Sequence, residues 1–72
     1  MANLYKFSGY YVFPWTESTP AKNEFGYKWY TKLQGRDKSK APTYIGFTSL
    51  KDARKWCRSN YLVGVMHGWI EP

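Results

Sequence analysis

The stretch YKWYTKLQGRDKSK, Tyr27–Lys40, decides how this chain is read. With a period of two it sets Tyr27, Trp29, Thr31 and Leu33 on one side and Lys28, Tyr30, Lys32 and Gln34 on the other, the alternation of a half-buried strand. Gly35, Asp37, Ser39 and then Pro42 stop it, so Gly35–Pro42 is expected to be a turn. The apolar side gives the strand a reason to exist. The other side, a tyrosine between two lysines that runs into a basic turn, raises the question of what it meets.

Working outward, TYIGF (Thr43–Phe47) reads as the returning strand. TSLKDARKWC then opens a helix, with Thr48 or Ser49 as N-cap and Asp52 in the first turn, where a carboxylate favours the positive end of the helix dipole. Leu50, Ala53, Trp56 and Cys57 recur at helical spacing and form its apolar stripe, leaving Lys51, Arg54, Lys55 and Arg58 on the remaining surface. Upstream, LYKFSGYYVF (Leu4–Phe13) reads as one strand that ends at Pro14, with Gly9 as a bulge. Pro14–Gly26, rich in Pro, Thr, Ser and Asn, reads as a loop of the length that is often functional. Downstream, Val63, Val65, His67 and Trp69 alternate with Leu62, Gly64, Met66, Gly68 and Ile70, and YLVGVMHGWIEP is expected to be a last strand. The order is then β-β-β-α-β, an α+β domain: a small, mostly antiparallel sheet with one helix packed on one face.

The chain has 72 residues, one domain near the lower limit at which an apolar core holds without metal or disulfide. Four Trp, seven Tyr and four Phe compensate, because each buries a large area per residue ordered. Trp29, Ile45, Phe47, Leu50 and Trp56 are the expected core. A single Cys forms no intrachain disulfide, which fits a reducing compartment and a cytosolic setting. MANLYKFSGYYVF lacks the pattern of a leader, and the longest apolar run, YLVGVM, is too short to span a bilayer, so an unprocessed protein without membrane association is expected.

The net charge of +6 is unevenly placed. Between Lys28 and Arg58 nine basic residues stand against Asp37 and Asp52, an excess of +7. Such a surface attracts phosphate, anionic lipid or an acidic protein groove, in that order of weight. One His and five carboxylates scattered along the chain offer no converging catalytic set, and no metal spacing or nucleotide fingerprint occurs. The expectation is therefore a non-enzymatic protein with neither cofactor nor small-molecule substrate.

For the strand face Lys28, Tyr30 and Lys32, joined by Tyr44, two chemistries are available. Tyrosine rings stack on unpaired bases while lysines follow the phosphates; or a basic hairpin enters a duplex groove, with Arg36, Lys38 and Lys40 at its tip on phosphates. Lys51, Arg54, Lys55 and Arg58 would be secondary contacts. The same residue types also serve as an ordinary solvated strand face. Trp15, in a Pro-flanked loop, is either tucked over the core edge or exposed as an anchor.

Trp29, YIGF (Tyr44–Phe47), TSLKDA and the helix Ala53 together resemble the three-stranded-sheet-plus-helix DNA-binding domains of the AP2 type and of phage integrase arm-binding domains, over residues 27–58. The resemblance implies a sheet face in a major groove, with Lys28, Tyr30, Lys32 and Tyr44 as contacts. Those families favour arginine on the strands, whereas every arginine here lies in the turn or helix. With a strand after the helix, the element order also looks like that of a small phage T7 inhibitor of bacterial RNA polymerase. The sequence thus leads to a nucleic-acid-binding protein of the kind phages or mobile elements encode, with a small inhibitor or adaptor that docks on an acidic protein site as the alternative.

Overall fold

The computed structural model describes residues 4–71. The expectations that fall on Met1–Asn3 (no leader) and on Pro72 (end of the last strand) lie outside the described residues. Four strands, β1 (Tyr5–Phe7), β2 (Tyr10–Pro14), β3 (Trp29–Leu33) and β4 (Thr43–Phe47), precede two helices, α1 (Leu50–Ser59) and α2 (Tyr61–His67). The sheet is antiparallel in the order β1-β2-β3-β4. The α+β class with helical cover on one face of an antiparallel sheet is as expected; the element order is not.

Two differences account for this. The first expected strand is a hairpin, because Ser8 (φ 48°) and Gly9 (φ 86°) both adopt positive φ and reverse the chain in two residues. Positive φ at both central positions is what a tight hairpin turn of matching twist requires. Gly9 is thus a turn residue and not a bulge; the Ser-Gly pair was the signal.

The second difference is the end of the chain, where the expected strand is helix α2. Its end is fixed by Gly68 at φ 73°, whose N–H donates to the Val65 carbonyl while the Trp69 N–H reaches the Gly64 carbonyl at 2.8 Å. This paired arrangement closes a helix and needs a left-handed residue, which glycine adopts without a Cβ clash. Gly64 lets α2 approach the sheet: a Cβ there would overlap the Tyr10 hydroxyl. That hydroxyl donates to the carbonyl of Asn60, at the joint between the helices, at 2.7 Å. The period-two pattern of Tyr61–His67 therefore yields to packing and to the cap at Gly68.

Helix α1 forms as its sequence dictates. Ser49 is the N-cap, its hydroxyl accepting from the Asp52 N–H at 3.2 Å, and the Asp52 carboxylate accepts from the Thr48 hydroxyl at 3.1 Å. Ala53 and Cys57 are buried and carry α1 onto the inner face of the sheet. There Tyr10, Val12, Leu33, Phe47 and Ile70 complete the core, with Trp29, Ile45, Leu50 and Trp56 packed at its margin. Thr31, the buried polar side chain, is satisfied by donating to the Tyr11 carbonyl at 2.8 Å. Burial pushes the Cys57 thiol up to about 11, so at neutral pH it is protonated and packs as a small apolar group.

Candidate nucleic-acid interface

Residues directly opposite on neighbouring strands share a face, so the register defines the other side of the sheet. Phe13 faces Tyr30 and Tyr30 faces Gly46; Lys32 faces Tyr44; Lys6 faces Tyr11. The helices contribute Ala53, Cys57, Leu50, Trp56 and Val65 to the core on the opposite, inner side. Lys28 continues the row of Tyr30 and Lys32 by alternation and is exposed.

The aromatic residues on this outer face form a connected band. Phe13 stacks on Tyr30 at 5.2 Å between ring centroids, and Tyr44 tilts against Tyr30 at 5.6 Å. Trp15 meets Tyr30 edge-on at 5.5 Å and continues to Tyr27 at 5.8 Å, which leads to Phe25 at 5.7 Å. These separations lie within the range of favourable ring pairs, with Phe13–Tyr30 stacked and Trp15–Tyr30 edge-to-face. Gly46 makes room for the band, because any Cβ there would run into the Tyr27 ring. Tyr27 accordingly lies on the outer face, whereas the alternation of Tyr27–Leu33 assigned it to the core. The reason is the loop: Asn23 accepts from the Tyr27 N–H and donates to its carbonyl, both at 2.8 Å, so the chain enters β3 already folded back. Trp15 is half-buried by these neighbours and its N–H donates to the Lys28 carbonyl, which anchors the loop to the sheet edge.

Beside the band the strands β2 and β3 part, leaving a dent of about 180 Å³ whose lining includes Tyr11, Phe13, Lys32, Trp69 and Ile70. That is well below the roughly 300–1,000 Å³ of a small-molecule pocket and suits a single inserted group. Lys6 sets its ammonium 5.2 Å from the Tyr11 ring centroid, within cation–π range.

Of the residues singled out from sequence, Lys28, Tyr30, Lys32 and Tyr44 come together on this face. Arg36, Lys38 and Lys40 are exposed in the connection from β3 to β4. That turn is braced from within: the Asp37 carboxylate accepts from the Ser39 hydroxyl at 2.6 Å and from its N–H at 3.0 Å, which holds the Asp37 carboxyl below its ordinary range. Arg36 lays its stem against Gly68, so it is tied to the end of α2. Lys51, Arg54, Lys55 and Arg58 are exposed on α1, on the covered side of the sheet, and do not join the aromatic band. Arg54 and Arg58 line a groove with Lys6, Phe7 and Ser8 at the β1 edge.

Among the described residues the one ion pair is Lys22–Glu24, so the cations from Lys28 to Arg58 carry uncompensated charge. Sequence reasoning did not select Lys6, Tyr11, Phe13, Phe25 or Tyr27. Tyr11 and Phe13 were legible, since they alternate with the core residues Tyr10 and Val12; Phe25 and Tyr27 are placed by the loop, and nothing local signals it.

The chain matches no family model, and neither a curated protein nor a solved structure shows significant similarity to it.

Proposed function

We propose that the protein is a small, non-enzymatic nucleic-acid-binding module, working in the cytosol, that holds nucleic acid on the outer face of its sheet. The observation that carries the reading is the conjunction on the outer face: a band of six rings, bordered by the exposed Lys28 and Lys32 and leading toward the basic turn, with no carboxylate paired to those cations among the described residues. Rings offer stacking surface and cations offer phosphate contacts, which are the two components of such interfaces. The resemblance of residues 27–58 to AP2-type and integrase arm-type domains points to the same face, though to a duplex groove as its occupant; the segment that supplied the last strand in the T7-inhibitor element order is helix α2.

Titration of the purified protein with labelled DNA and RNA at several salt concentrations tests the proposal. Binding that weakens steeply with salt, and that weakens further in Lys28→Glu/Lys32→Glu, is expected; affinity poorer than ~100 μM at physiological salt, the limit even for non-specific binding, would sink it. A second reading draws on Phe25, 73% exposed at the end of the band: aromatic anchors ringed by cations also suit an acidic protein surface. A nuclease-resistant protein complex that the same double charge reversal releases, from a protein that binds no nucleic acid, would favour it.

A further inference from the structure

We infer that the outer face takes single-stranded rather than duplex nucleic acid, an inference that rests on the nucleic-acid reading above. In a duplex the faces of the bases are covered by their neighbours, so a protein reaches only phosphates and groove edges. The groups that serve that purpose here stand away from the centre of the sheet. All three arginines, whose forked donors suit base edges and phosphates, lie in the β3–β4 connection or on α1. The central positions of the face are occupied by Phe13 and Tyr30, with Gly46 beneath Tyr27. Phenyl and phenol rings have little to offer a phosphate, and a duplex laid over them would lose hydration without return.

An unpaired base offers what the band lacks, a flat partner. Tyr30 is held from three sides by Phe13, Tyr44 and Trp15, so its orientation is set before binding. The band extends through Tyr27 to Phe25, enough for successive bases to find rings in turn. The dent beside Phe13 and Lys32 gives room for one group to turn inward, which only an unpaired strand can supply. Lys28, just ahead of β3, and Lys32 within it alternate with Tyr30, so phosphates follow the row that carries the central ring. Every base has a π-face, so the recognition tolerates sequence.

Competition on the wild-type protein tests the inference. A labelled DNA strand of about 16 nucleotides, near the upper site size of single-strand modules, is challenged with the same strand unlabelled, its RNA counterpart and its blunt duplex. Both single strands are expected to compete at least ~10-fold better than the duplex, with any preference between DNA and RNA naming the source. Tyr30→Ala should weaken the single strand about 5- to 150-fold, the range for loss of one stacked base, and Tyr30→Phe should restore it. If Tyr30→Ala does not fold, Tyr44→Ala on the edge strand β4 gives the same readout. Duplex binding as tight as single-strand binding, or no effect of either alanine, overturns the inference and leaves the nucleic-acid reading standing. Failure of all three nucleic acids to bind overturns that reading and the inference with it.

Discussion

The two faces of the sheet are built from similar residues and packed differently. The inner face carries Tyr10, Trp29 and Phe47 and is closed by Trp56, Ala53 and Cys57 from α1 and by Ile70 after α2. The outer face carries Phe13, Tyr30 and Tyr44, half-buried by one another and by Tyr27 and Trp15 of the loop, and α1 packs on the other side. Aromatic content therefore does not separate core from surface here. What separates them is the neighbour: aliphatic and small residues sit beside the inner rings, lysines beside the outer ones. Inner rings are ordered by burial, outer rings by one another and by a clamped loop. The outer rings Phe13, Tyr30 and Tyr44 accordingly stay half-buried, whereas Tyr10 and Phe47 of the inner face are buried.

Substitutions can break this comparison, starting with the largest effect. Phe47→Ala, which opens the core beneath Trp56, should cost about 3–5 kcal/mol in urea or thermal unfolding and leave little folded protein. A loss as small as that of an outer-face variant would show that the inner face is not the core. Gly64→Ala comes next. It improves helix propensity, yet its methyl meets the Tyr10 hydroxyl, so a net loss of about 1–3 kcal/mol is expected; a more stable variant would mean that α2 does not pack closely on the sheet.

A third test uses pH. Cys57 has an ordinary value of 9.0 and is held at about 11 by burial, so the folded state keeps a proton that the unfolded chain releases. Its contribution is complete below pH 9 and is lost as pH rises toward 11, with a slope of at most about 1.4 kcal/mol per pH unit. Tyr10, raised by burial and by the nearby Cys57, acts in the same direction. Denaturation midpoints measured across that window should fall for the wild type and fall less for Cys57→Ala. The smallest stability effect is expected on the outer face, where Tyr30→Ala should cost about 1 kcal/mol or less in the same assays, from lost cross-strand ring contacts. A loss as large as that of Phe47→Ala would make Tyr30 a structural residue and remove the contrast between the faces.

Much of this was readable before the fold was known. Thr43–Phe47 is β4 to the residue, and Ser49 with Asp52 starts α1 as the capping pattern dictates. Thr31 and Leu33 are buried and Tyr30 and Lys32 face outward, as period two requires. The hairpin at Ser8–Gly9 was missed although its signal was local, because a lone glycine in an apolar run fits a bulge as well as a turn. The outer band was only half legible. Tyr30 and Tyr44 follow from strand alternation, but Trp15 and Phe25 lie on the loop and Tyr27 ahead of β3, and the Asn23 clamp and the space over Gly46 bring them in.

By itself, the sequence determined the elements whose reasons are local: the alternation of β3 and β4, the capped start of α1, and the concentration of positive charge between Lys28 and Arg58. Tertiary structure decided the rest. Tyr61–His67 alternates like a strand and becomes a helix because Gly64 can lie against Tyr10 and Gly68 can adopt the left-handed turn that ends it. The rings of the outer face become one surface because contacts between residues far apart in the chain assemble them, and no short-range pattern encodes such contacts.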